Sequence, residues 1–160
     1  TDYLTQTYNR RQLDGYIKDK IRNSSKTSSF SAVLIDLNDF KNINDKFGHD
    51  IGDEALKATA QIISASLHRN DFLARYGGDE FMAILNISDK KNLEQTIQQI
   101  NKNVKKFNLE NANPYSLEFA MGYAVYDIES KMSEDDFFKS IDKLMYDAKR
   151  QRYQLHDDID

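Results

Sequence analysis

The chain has 160 residues, 39% hydrophobic and 30% charged, the range of an ordinary globular domain with a core of its own. No apolar run approaches the ~18–20 residues of a membrane span, and no secretory leader opens the chain. The lack of cysteine excludes disulfides and thiolate metal sites and suits a reducing cytoplasm, while the net charge of −4 argues against a nucleic-acid partner.

Residues 9–22 place Leu13, Ile17 and Ile21 four apart behind Asn9, which predicts an amphipathic helix with an asparagine N-cap. Residues 30–36, FSAVLID, form a short apolar run and predict a buried strand ending on Asp36. FKNINDKF, 40–47, reads as a short helix capped by Asn38 or Asp39 and stopped at Gly48. A longer helix is expected over 51–67, with apolar positions at 55, 56, 60, 63 and 67. DFLARY and FMAILNI flank Gly77-Gly78-Asp79-Glu80 and predict a β-hairpin. A helix over 89–107 aligns Leu93, Ile97, Ile100, Val104 and Phe107; residues 115–126 read as a strand. The last helix, 133–152, opens at Ser133 with acids in its first turn and bases in its last, as the helix dipole favours. A hairpin inside this alternation predicts an α+β sandwich with a mixed, mainly antiparallel sheet surrounded by helices.

The carboxylates carry the chemistry. Asp36 ends a buried strand just before a helix start, where such folds hold ligands. Asp79 and Glu80 interrupt core strands at the hairpin tip. If the hairpin pairs with the Asp36 strand, three carboxylates converge. Like charges about 4 Å apart repel by roughly 4 kcal/mol at an effective dielectric near 20. A divalent cation offsets this, and an all-oxygen donor set favours magnesium or manganese over zinc. The alternative is that Asp79 and Glu80 are solvated hairpin residues. Gly77 and Gly78 likewise have two compatible readings: a turn that needs positive φ, or a backbone left bare for a ligand.

DYLTQTYNRR, LIDLNDFKNINDKFGHDIGDEAL, RYGGDEF and YDAK follow one another in the order and spacing of the GGDEF domain, the catalytic domain of diguanylate cyclases, and the chain resembles that family from Asp2 to about Arg152. The resemblance implies a fold related to nucleotidyl cyclases and the polymerase palm. It also implies condensation of two GTP into cyclic di-GMP with release of pyrophosphate. Asp36 would bind metal by its carboxylate and Leu37 by its carbonyl, with Asp79 and Glu80 as further ligands and catalytic groups. Asn44 and Asp53 match the guanine-reading pair. Phe40 and Lys41 sit where triphosphate binds at a helix start, beside the bare backbone of Gly77 and Gly78. Lys149 matches the phosphate lysine, and Asp2 with Arg75 a structural ion pair. One domain would hold one GTP, so a homodimer is implied. The chain begins at Thr1 and is expected to be cut from a longer cytoplasmic or membrane-bound protein with an N-terminal sensor or receiver domain.

Four segments depart from the family pattern. LTQTYNR carries Gln6, Thr7 and Tyr8 in a structural loop, and Ala120-Met121-Gly122 stands for the usual Ser-Ile-Gly. In AKRQRYQ, Arg152 takes a glycine position and Tyr153 an arginine position, so Arg150 or Arg152 would have to supply that phosphate contact. At the product-inhibition site His68 stands for arginine, with Asp71 retained; imidazole lacks the guanidinium fork, so that site reads as degenerate. Two other readings stay open: a non-catalytic GTP-binding regulatory domain, and a cyclic di-GMP receptor, which His68 disfavours. His49 is expected to cap or pack, His156 to do nothing specific, the aromatics of 133–153 to be core, and the 102–106 lysines to be a solvated face too small for nucleic acid.

Overall fold

The computed structural model describes residues 1–110 and 112–159, with side chains through Arg152, so the readings on the side chains of Tyr153 and His156 lie outside the described residues. In chain order it comprises α1 (Arg10–Arg22), β1 (Ser31–Leu37), α2 (Phe40–Phe47), α3 (His49–Ala65), β2 (Phe72–Arg75), β3 (Glu80–Leu85), α4 (Lys90–Glu110), β4 (Phe119–Val125), a 3₁₀ turn (Ile128–Ser130) and α5 (Glu134–Ile159). This is the predicted order. The strands form one antiparallel sheet, β2-β3-β1-β4.

All seven residues of β1 are buried because the strand is central and both sheet faces are covered. Strand alternation divides it between two cores. Val33, Ile35 and Leu37 face Leu56 and Ile63 of α3 and Leu93, Ile97 and Ile100 of α4. Ala32 and Leu34 face Leu13 and Ile17 of α1 and Phe137, Ile141 and Met145 of α5. By the same alternation Asp36 points to the α5 side. The result is the α+β sandwich that the sequence pattern predicted, with the antiparallel palm-like sheet that the family resemblance implied.

Local chemistry explains most boundaries. Asn9 and Gln12 form a reciprocal capping box that starts α1. Gly48, at φ 91°, turns the chain from α2 into α3 without a loop. His49 opens α3 exposed and neither caps nor packs as expected. β4 begins at Phe119 and not near 115, because the Asn108 side chain takes the Leu117 N–H at 2.9 Å and its carbonyl at 2.8 Å, in place of a strand partner. At Gly122 an added Cβ would lie 2.3 Å from the Ile141 carbonyl oxygen and 2.6 Å from the Met145 nitrogen, so α5 rides directly on β4. On α5 Phe137 is core, whereas Tyr146 is exposed, against the core reading.

Candidate active site

The β1–β3 register sets Asp36 opposite Glu80. The Leu37 N–H donates to the Asp79 carbonyl at 3.1 Å, which docks the hairpin tip against the end of β1. Asp36, Asp79 and Glu80 therefore each present a carboxylate oxygen within 4.8 Å of the others. Arg75 stiffens the bend. Its Nε and Nη2 donate to the Gly78 carbonyl at 3.2 and 2.7 Å, and it pairs with Asp2 at 3.4 Å, the expected structural ion pair.

Neither Gly77 nor Gly78 adopts positive φ; Gly48 is the one glycine that does among the described residues. The turn conformation thus does not require glycine at 77 or 78, which corrects that reading. A Cβ at Gly78 would meet open space, so what glycine leaves there is bare backbone beside the acids.

Asp36 is 5% exposed. Burial, opposed by a hydrogen bond from Lys149 and reinforced by the charges of Asp79 and Glu80, pushes its carboxyl up to about 6. Burial and the Asp79 charge also raise Glu80. Lys149, from α5, donates to Asp36 Oδ2. Burial alone would lower its pKa, but the hydrogen bond and charge of Asp36 outweigh that and raise it. Asp36 Oδ1 is buried with no hydrogen-bond partner. An unsatisfied buried carboxylate oxygen facing two further carboxylates fits a hard divalent cation.

Beside this cluster α2 starts without a side-chain cap. Asp39 is the N-cap residue, one of the two expected, but its side chain makes no capping bond: it sits in the left-handed region at φ 58° and gives its carboxylate to Arg152 at 2.9 Å. No side chain of the cap therefore competes for the first-turn amides around Phe40 and Lys41, which suits an anion at that helix start. Asn44, half-buried on α2, lies against Gly52 of α3: its Oδ1 is 1.8 Å from where a Cβ of residue 52 would be. Gly52 was not singled out in the sequence, though it is what lets Asn44 reach the helix that carries the exposed Asp53.

The segment holding His68 and Asp71 is internally bonded. Asp71 accepts from the His68 N–H of its own loop at 2.8 Å and from the Asn86 N–H just after β3 at 3.0 Å, one on each carboxylate oxygen. His68 lines a groove of about 660 Å³ that includes Ser66, Asn86, Asn92 and Gln99, and whose described lining holds no lysine or arginine.

An antiparallel palm-like sheet with three acids gathered where its central strand meets a hairpin is the architecture of this α+β class. The family described as "Diguanylate cyclase, GGDEF domain" matches residues 1–154, and the chain belongs to the GGDEF family. It is 31% identical over 150 residues to the diguanylate cyclase DosC of Shigella sonnei, covering 93% of this chain and 33% of that protein; the chain thus spans about a third of the length of such curated relatives. The GGDEF domain of TpbB (YfiN) from Pseudomonas aeruginosa superposes with a TM-score of 0.83 at 28% identity, over 94% of this chain and 88% of that one. The GGDEF domain of DgcB from Caulobacter crescentus, solved in complex with c-di-GMP, shares the fold with a TM-score of 0.85 at 24% identity, over 94% of this chain and 90% of that one. Among the described residues no helix is long and apolar enough to cross a membrane.

Proposed function

We propose that this domain is a diguanylate cyclase, joining two GTP into cyclic di-GMP and releasing two pyrophosphates. The observation that carries the reading is the meeting of Asp36, Asp79 and Glu80 within 4.8 Å, with one Asp36 oxygen buried and unpartnered. Asp36, Asp79, Glu80 and the Leu37 carbonyl would hold magnesium or manganese, which when bound neutralises charge on the α-phosphate and the leaving pyrophosphate.

The chain's own groups do the rest. Asn44 and Asp53 grip the guanine edge, Asp53 accepting from the base's N1 and N2 donors. The uncapped start of α2, with Phe40 and Lys41, takes the triphosphate, and the bare backbone at Gly77 and Gly78 lets the nucleotide lie close. Lys149 trades part of its contact with Asp36 for phosphate oxygen. The 3′-hydroxyl of one GTP attacks the α-phosphorus of the other; the bond from that phosphorus to the bridging oxygen breaks, and pyrophosphate departs. A second, symmetric attack closes the ring. Asp79 or Glu80 takes the hydroxyl proton.

Each domain binds one GTP, so two domains must face each other, and the working form is a homodimer. An N-terminal sensor or receiver domain is the proposed regulator, acting in the cytoplasm where GTP is supplied. A second reading, a GTP-binding regulatory domain without turnover, is favoured by Arg152, whose guanidinium is engaged by Glu118 and Asp39 and is not offered to phosphate. Incubation with GTP and magnesium separates the two. Cyclic di-GMP accumulation supports the cyclase; GTP bound without product, at concentrations that dimerise the domain, leaves the regulatory reading.

A further inference from the structure

Arg152 occupies a position where the family resemblance leads one to expect glycine, so its side chain is an addition of this chain. Its Nε donates to Glu118 Oε1 at 2.6 Å and its Nη2 to Glu118 Oε2 at 3.1 Å, a two-pronged grip on one carboxylate. The same Nη2 reaches Asp39 at 2.9 Å. The arginine side chain is 18% exposed, and its partners Glu118 and Asp39 are 54% and 48% exposed. These partners are not scattered. Glu118 lies just before β4, and its carbonyl accepts from the Asn38 N–H at 2.8 Å. Asp39 is the next residue, the left-handed corner at φ 58° from which α2 departs. Aspartate is among the non-glycine residues that adopt this conformation most readily, and here its carboxylate is held by Arg152. Arg152 thus ties α5 to both sides of the β1–α2 corner, from the same helix that delivers Lys149 to Asp36.

We infer that Arg152 is a positioning residue for the triphosphate: by clamping Glu118 and Asp39 it fixes the corner whose following amides receive the phosphates, so this chain uses the side chain as a strut and not as a phosphate ligand. The inference rests on the cyclase reading for the identity of the nucleotide. The clamp predicts a phosphate-specific effect, because the guanine pocket at Asn44 and Asp53 lies farther along α2 and on α3.

The test measures binding of an α,β-methylene analogue of GTP, which cannot lose pyrophosphate, and of guanosine, to the full chain with magnesium. Arg152→Ala is expected to weaken the triphosphate analogue roughly tenfold, about 1.4 kcal/mol, while guanosine binding stays within twofold of wild type. Arg152→Lys should recover part of the loss. Glu118→Gln is the sharper variant. Removing an acid beside a polyanion would by charge alone tighten binding, whereas loss of the clamp's anchor weakens it. Weaker triphosphate binding by Glu118→Gln supports the clamp; tighter binding would show that local charge and not the clamp governs the triphosphate site, and would overturn it. Equal losses for analogue and guanosine in Arg152→Ala would reduce the residue to general stability and also overturn it. If folded wild-type chain binds neither ligand, the cyclase reading falls with it; if wild type binds and Arg152→Ala is unchanged, only the clamp falls.

Discussion

Gly52→Ala separates nucleotide recognition from stability more cleanly than any loss-of-side-chain variant. The new methyl group would sit 1.8 Å from Asn44 Oδ1 and 2.9 Å from Asn44 Cγ, against roughly 3.5 Å for an ordinary contact. Its next neighbour, Phe40 Cε2 at 3.5 Å, is undisturbed. The clash is therefore with the end of one flexible side chain, and Asn44 swings away while the helices stay put. Gly52 lies within α3 without positive φ, so alanine there gains about 0.5–1 kcal/mol of helix stability. If Asn44 reads guanine as proposed, its displacement removes that hydrogen bond, a loss of about 1–2 kcal/mol, or roughly five- to thirtyfold in affinity. Titration with GTP beside ATP, paired with thermal unfolding, should show weaker GTP binding, a smaller preference for guanine and an unchanged or higher Tm. Unchanged GTP affinity in a folded variant would remove Asn44 from base recognition.

Asp79→Ala should abolish cyclic di-GMP formation and leave the circular dichroism spectrum intact; near-normal turnover would mean that the metal site is misassigned. Asp36 is raised to about 6, so its charge destabilises the metal-free fold progressively as pH rises from about 4 through 6, and bound cation offsets that cost. The magnesium-induced rise in Tm should be full at pH 7.5 and shrink below pH 6, where the apparent metal affinity falls by up to tenfold per pH unit; a pH-independent rise would place the cation elsewhere. Calorimetry should detect no tight cyclic di-GMP binding at the His68 groove, and His68→Arg should strengthen binding by about 1.5–3 kcal/mol, the worth of a charge-assisted hydrogen bond. Nanomolar binding by the unaltered chain would revive the receptor reading.

Much of this was legible in the residues because period and punctuation agree. The four-residue spacing behind Asn9 and the glycine at 48 set α1 and the α2–α3 corner where the pattern placed them. The convergence of Asp36 with Asp79 and Glu80 depended on the hairpin pairing with β1, a long-range register that the strand alternation made available and the antiparallel pairing realises. The failures share a cause: a side chain's partner lies outside the segment being read. Asp39 stands at the cap position as read, but its carboxylate makes no capping bond because Arg152, 113 residues on, takes it. Residues 115–118 read as strand until Asn108 satisfies Leu117. Gly52 reads as one more helical residue until Asn44 is packed over it. The glycine pair has the opposite history: the turn explanation was adequate locally, and only the backbone angles remove it.

The most direct measurement follows GTP to product with magnesium across a range of protein concentration, with Asp36→Asn beside wild type. The account predicts cyclic di-GMP and two pyrophosphates per product, a specific rate that rises with concentration as domains pair, and no product from Asp36→Asn. Product formed equally well by Asp36→Asn, or GTP bound at every concentration without product from wild type, would contradict it.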